Sequence, residues 1–431
     1  MNSLAKELND VLEGTLVAQL LSDYGQRMYF PKGIISQSAE AKQKAHTYNA
    51  TIGIATEKGD AMCIPSMLAK FTNDLSKNEI FPYAPTAGEP LLRKLWLKEM
   101  IKKNPSMAGK QTSLPVVTSG LTHAISIAAS LFVEKGHSII VPDMYWGNYN
   151  LIFTEQREAK QISFPLFAQG QLNIEGLAST IDAIEEPHVA MILNFPNNPT
   201  GYTPTQTEAH NLVSMLTEKA EQGKKLLIFT DDAYFGLFFE EDVCRESLFS
   251  LLCDAHENIL AIKGDAATKE EMVWGFRIGF LTYNNKGMTE AQYEALVKKT
   301  MGAIRGSVSS CSKPAQSILM KGMESGSYHT EKEAGIQRIS QRYHLIKTTL
   351  DKYKGNAYLT PLPFNSGYFM AFVCAGDAEK LRMHLLDTYG VGAISIKNTF
   401  LRLAFSSTNL EEIEDLLRIV HQAAKEVFAT P

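Results

Sequence analysis

Cysteine is scarce in this chain. There are five in 431 residues (Cys63, Cys244, Cys253, Cys311 and Cys374), far apart and with no CxxC pair. An odd, dispersed set of thiols makes no disulfide framework, so reduced thiols in a cytoplasmic protein are expected. The ten histidines are scattered singly, without HxxxH or HxH spacing, and no metal site is expected. Long apolar runs are missing as well. "GTLVAQLL" (14–21) is short and follows acidic Glu7, Asp10 and Glu13 rather than a basic segment, so neither an export leader nor a membrane span is expected. Positive charge is not in excess: 42 Lys and Arg against 47 Asp and Glu give −5. A nucleic-acid partner would need a basic stripe, so none is expected. Repeats and low-complexity tracts are absent too.

What is present is an ordinary globular composition, 45% hydrophobic and 21% charged, in a chain long enough for two domains. Between about 112 and 283 one pattern recurs: a short apolar run, polar loop residues, then helical periodicity. The runs are "LPVV" (114–117), "HSIIV" (137–141), "HVAMIL" (188–193), "KKLLIF" (224–229), "NILAI" (258–262) and "RIGFLTY" (277–283). Strands this apolar, alternating with helices, predict an α/β domain with a mostly parallel sheet covered on both faces. "TPTQTEAHNLVSMLTEKAEQG" opens on a capping box, Thr205 to Glu208. After about 325 the texture changes to a long helix, the strand-like "GYFMAFV" and "TFLRLAF", and an amphipathic close. A large domain over 61–325 and a smaller α+β domain built from 1–60 and 326–431 are expected.

Ligands of parallel sheets sit beyond the carboxyl ends of the strands. After "LPVV" comes "TSGLTHA", where Gly120, Leu121 and Thr122 open a helix; this is either a phosphate seat or a plain N-cap. After "HSIIV" comes "PDMYWGNYN", whose Trp146 either packs on a planar ring or anchors a core. After "HVAMIL" comes "NFPNNPTGYTP", with three prolines and a glycine around Asn198, far more than a turn requires. Asp231 opens "DDAY" after the next strand, and Lys269 stands in "KGDAATKEEMVWGFRIGF" with Gly275, Arg277 and Gly279 behind it.

"NPTG" (198–201), "DDAY" (231–234) and K-x5-G-x-R-x-G (269–279), in that order at strand ends, resemble the class I/II aminotransferases, fold-type-I enzymes dependent on pyridoxal 5′-phosphate. The resemblance runs from "ATIGIATEKG" to "LRLAFSS". It implies a seven-stranded, mostly parallel sheet between helices. By position it implies Lys269 as the Schiff-base lysine, Asp231 at the pyridine nitrogen, and Asn198 and Tyr234 at the phenolic oxygen. Trp146 stacks on the ring, with Tyr145 as the alternative. Gly120, Leu121, Thr122 and Arg277 hold the phosphate. Two departures stand out: Ala266 occupies a place that is often serine, with Thr268 adjoining the lysine instead, and the residues around Trp146 align only with a gap.

The resemblance also implies a homodimer with shared sites, in which Tyr83 of "YAPTAG" reaches the neighbouring subunit's phosphate. Arg402 of "LRLAF" grips the substrate α-carboxylate, with Gly53 nearby. Arg305 of "AIRGSVSSCSKP" either crosses the interface to bind a distal carboxylate or is a structural arginine. The expected activity is ping-pong transfer of an amino group from an amino acid, dicarboxylic or aromatic, to a 2-oxo acid such as 2-oxoglutarate. A lyase or decarboxylase on the same scaffold is the alternative. The sequence leaves open what role the N-terminal "YFPKGII" (29–35) has in closing the site.

Overall fold

The computed structural model describes residues 1–13, 21, 23–27, 34–51 and 53–429. Most of "YFPKGII" therefore lies outside the described residues. The seven-stranded sheet comprises β1 (Val116–Thr118), β2 (Ser138–Pro142), β3 (Lys160–Phe164), β4 (His188–Asn194), β5 (Lys225–Asp231), β6 (Ile259–Ala266) and β7 (Gly279–Asn284). Its order is β1-β7-β6-β5-β4-β2-β3. Only β7 runs antiparallel to its neighbours, β6 and β1; β2 to β6 pair in parallel.

Side chains of successive strand residues point to opposite faces, and the apolar residues are divided accordingly. Ile139, Val141, Ile192 and Phe229 join one buried cluster. Ile140, Met191, Leu193 and Ile228 join the other. Helix α1 (Leu121–Phe132) covers the first face, and α2 (Gln206–Glu221) covers the second through Ala209, Leu212 and Leu216. The expected capping box is present: Thr205 Oγ1 accepts from the Glu208 N–H, and the Glu208 carboxylate accepts from the Thr205 N–H. β3 was not foreseen. It lies at the sheet edge and is exposed or half-buried along most of its length, so "KQISF" lacks the apolar run that marks its neighbours.

The C-terminal part contains a four-stranded antiparallel sheet: β8 (Leu359–Pro361), β9 (Phe369–Cys374), β10 (Ile394–Ile396) and β11 (Phe400–Ala404). Tyr48–Asn49 pairs in parallel with Val391–Gly392, which ties the N-terminal segment to this region. A 23-residue helix, α3 (Tyr328–Leu350), runs into it, and Ile339, Tyr343 and Ile346 pack in one cluster with Ile413 and Leu416 of the terminal helical region. Among the described residues no helix is long and apolar enough to cross a membrane, and no group of three or more metal-ligating side chains occurs.

Candidate active site

Strand register alone gathers much of the site. Asp231, at the end of β5, is opposite Asn194 of β4 and Gly264 of β6. Gly279, the first residue of antiparallel β7, is opposite both Ala266 and Thr118, the last residues of β6 and β1. One rim of the sheet thus carries the ends of β1, β4, β5 and β6 together with the start of β7.

Asp231 is buried there. Its carboxylate accepts from the Tyr149 hydroxyl (2.6 Å), the Asn194 side-chain amide (3.2 Å) and the Ala233 N–H (3.0 Å). Burial pushes its pKa up to about 6, although the Tyr149 bond, the Ala233 N–H and Lys269 all oppose the rise. The Lys269 ammonium lies 4.8 Å from the centroid of the Tyr234 ring. Burial pulls its pKa down to about 8; Asp231 opposes this and Arg277 adds to it. Lys263, the other lysine of this stretch, is fully buried in ion pairs with Asp232 and Asp265 (3.4 Å to the latter). Those pairs explain why β6 continues through "KGDA", where loop residues were expected.

Gly120 caps α1 with φ of +79°, and a Cβ there would lie 2.3 Å from Arg277 Nη2. Arg277 is itself left-handed (φ +53°) and donates to the Trp274 carbonyl (3.2 Å). A Cβ on Gly279 would strike the Gly120 carbonyl carbon at 2.6 Å. The N–H groups of Leu121 and Thr122 open the helix and have no acceptor within it. Two glycines without side chains, free helix N–H groups and one guanidinium together make a cradle for a dianion. Thr268 is buried beside the lysine.

The "NPTG" loop is fixed by its own amides. The Asn198 N–H donates to Asn194 Oδ1 (2.7 Å), and Asn197 donates to the Met144 carbonyl (3.1 Å). Gly201 has φ of +78°, and a Cβ there would lie 2.0 Å from the Phe369 carbonyl oxygen. Arg402 of β11, 2% exposed, donates to Asn198 Oδ1 and to the Thr51 carbonyl, both at 3.0 Å. Its Nε has no partner among the described residues, and its guanidinium lies 4.2 Å from the Phe369 ring centroid. Neither hydrogen-bond partner carries charge, and burial pulls the guanidinium down to about 10. A methyl on Gly53 would stand 3.9 Å from the Tyr234 hydroxyl and 3.6 Å from the Phe369 ring.

The chain therefore assembles Gly53, Gly120, Asn198, Asp231, Tyr234, Lys269, Arg277 and Arg402. Trp146 stands edge-on to Tyr149 (5.8 Å, 85°). Tyr145 bonds Asn150 (2.9 Å) and lies 5.3 Å under the Lys397 ammonium. Tyr83 and Arg305 are not brought to this site within one chain: Tyr83 is 90% exposed, and exposed Arg305 donates to Ser309 Oγ (2.7 Å). Sequence reasoning gave no role to Tyr149 or Asn194. Tyr149 could have been suspected from its place one turn beyond Trp146, and Asn194 from its place as the last residue of an apolar strand.

These residues fit pyridoxal 5′-phosphate. Asp231 is a buried carboxylate suited to the ring nitrogen, the α1 cradle suits its phosphate, and Lys269 is a half-buried amine of lowered basicity. The family model described as "Aminotransferase class I and II" matches residues 52–420. An aspartate aminotransferase from Musicola paradisiaca is 26% identical over 39% of this chain and 40% of its own length. A probable aspartate/prephenate aminotransferase from Aquifex aeolicus is 23% identical over 78% of this chain and 82% of its own. The chain thus spans well under two thirds of the first relative and about four fifths of the second. An aminotransferase structure from Anaerococcus prevotii superposes with a TM-score of 0.82 at 23% identity, covering 92% of this chain and 97% of that one. With the match extending over residues 52–420, most of its length, the chain belongs to the class I and II aminotransferases, a family dependent on pyridoxal 5′-phosphate.

Proposed function

We propose that this chain moves the amino group of an amino acid to a 2-oxo acid by a ping-pong mechanism, with 2-oxoglutarate as one acceptor. The observation that carries the reading is Arg402, a buried guanidinium of the smaller sheet whose protein partners are both neutral and which meets the loop of Asn198 beside the rim that carries Asp231. A buried charge without a counterion is costly, and a substrate α-carboxylate would complete it.

Pyridoxal 5′-phosphate, when bound, supplies a ring that stabilises negative charge at the substrate Cα. Asp231, backed by Tyr149 and Asn194, would hold the proton on the ring nitrogen. Asn198 and Tyr234 would donate to the phenolic oxygen, and Trp146 would cover the ring face. Trp146 is favoured over Tyr145 because Tyr145 is committed to Asn150 and Lys397. Gly120, Leu121, Thr122, Thr268 and Arg277 would hold the phosphate. Lys269 would have two tasks: it would hold the cofactor covalently, and as a free amine its Nζ would take and carry the proton of the substrate Cα. Arg402, with Gly53 leaving room beside it, would fix the carboxylate so that the Cα–H bond is the one aligned for cleavage, which favours transfer over decarboxylation.

We further propose a homodimer in the cytoplasm, with a large domain over 61–325 and a small one from 1–60 and 326–431. Exposed Phe81 and Tyr83 support an interface there, with Tyr83 completing the partner's phosphate site. Arg305 would reach across the same interface to a dicarboxylic substrate. Ser307, two residues on, meets His123 Nε2 of α1 at 3.0 Å, a contact that supports such a reach. A lyase or decarboxylase would use the same residues. Incubating holoenzyme with an amino acid and no 2-oxo acid separates the readings: stoichiometric conversion to the amino form of the cofactor supports transfer, whereas continuous release of ammonia or CO2 contradicts it.

A further inference from the structure

The two residues after Lys269 are both glutamates, and both are buried, Glu270 at 4% and Glu271 at 1% exposure. Adjacent buried carboxylates are tolerated only when every charge has a partner. Here the pairing is complete. Glu270 meets Lys103 Nζ with one oxygen and Lys332 Nζ with the other, both at 2.8 Å. Glu271 meets the same Lys332 Nζ at 2.8 Å and accepts from the Tyr328 hydroxyl at 2.6 Å. Tyr328 and Lys332 are one turn apart on α3, so a single helix face clasps both glutamates.

Other contacts tighten the clasp. Gly335, on the next turn, lets α3 approach so closely that a Cβ there would lie 2.3 Å from Met272 Cε. Gly236, two residues after Tyr234, has no room for a Cβ because Glu270 Oε1 would be 2.6 Å from it. The Lys269 carbonyl accepts from Tyr368, the residue before β9 (3.3 Å). The far half of α3 is bound to the region that carries Arg402: Arg342 donates to the Ser406 and Thr56 carbonyls. One helix therefore connects the α-carboxylate arginine's domain to the backbone of the lysine.

We propose that Glu270 and Glu271, clasped by Lys332 and Tyr328 of α3 and by Lys103, are positioning residues that aim Lys269 Nζ at the substrate Cα proton. The proposal rests on the transaminase reading above. The clasp acts through geometry rather than field, since the charges facing the Lys269 amine are Asp231 and Arg277. It predicts a loss in proton transfer without a loss in substrate binding.

The test uses the holoenzymes of Lys332→Met and Glu270→Gln, with Arg382→Met as a control that likewise removes a buried, ion-paired cation. Arg382 is a buried arginine paired with Glu40 and Glu379, away from the site. Both clasp variants should retain the visible absorption of lysine-linked cofactor. Their single-turnover rate with saturating amino acid should fall by about ten- to a hundredfold, with half-saturation changed less than about threefold. The Cα-deuterium isotope effect should rise, and amides of residues 266–272 should exchange faster. Arg382→Met should keep its rate within about twofold of the parent. A clasp variant with parental rate and isotope effect, or one that loses only substrate affinity, overturns the proposal. If Lys332→Met does not fold, Tyr328→Phe should show the same split at a few-fold level, and no change in it is equally contrary. Absence of the absorption in the parent enzyme would instead remove the underlying reading.

Discussion

In the proposed reaction Lys269 would act only as a free amine, and its surroundings set the pH at which that form exists. Burial lowers its pKa to about 8, from an ordinary lysine value of 10.5. The sign follows directly: a base with lowered pKa gains its neutral form at lower pH, so the covalent linking of pyridoxal 5′-phosphate to apoprotein should speed up with pH and level off above about 8. Stopped-flow absorbance across a pH series would show this, and a rate still climbing toward pH 10 would contradict it. In the proposed reaction Arg402 would act by charge and shape together. Arg402→Ala should raise KM for every amino acid and cost a few kcal/mol in kcat/KM, because it removes a buried charge's only complement. Arg305→Ala should instead impair aspartate and glutamate selectively; a uniform loss across substrates would mark Arg305 as structural.

The elements matter because they bring distant residues to one rim. Gly120 links α1 to Arg277, and Gly120→Ala would put a Cβ 2.3 Å from that guanidinium in a left-handed backbone position. Cofactor affinity should drop by at least about tenfold in absorbance titrations, the loss expected when a phosphate contact is displaced. Gly201→Ala would place a Cβ 2.0 Å from the Phe369 carbonyl oxygen at φ +78°, with an expected stability loss of about 3 kcal/mol in denaturant unfolding. The central strands and the three motifs were legible because buried parallel strands must be apolar and their ends must carry the chemistry. Strand β3 was not, since an edge strand needs little apolar surface. Nor was the extension of β6 through Lys263 and Asp265, whose burial depends on Asp232, more than thirty residues away in sequence. The role of Tyr149 was hidden for a related reason: only tertiary packing brings its hydroxyl onto Asp231.

At the scale of the whole molecule, the candidate site within one chain lacks two expected members. Tyr83 and Arg305 are surface residues here, which a dimer with shared sites would explain. Mixing Lys269→Ala with Arg305→Ala subunits should then restore dicarboxylate transamination, since half-mutant dimers would contain one intact site in two, at about a quarter of the parental level. Unrestored activity in mixtures shown by mass to contain the hybrid would rule out sharing. All of these expectations depend on one covalent bond. Reconstituted protein reduced with borohydride and mapped by peptide mass should carry the cofactor on Lys269 alone. Protein that takes up no cofactor, or an adduct on Lys263 or any other lysine, would contradict the account.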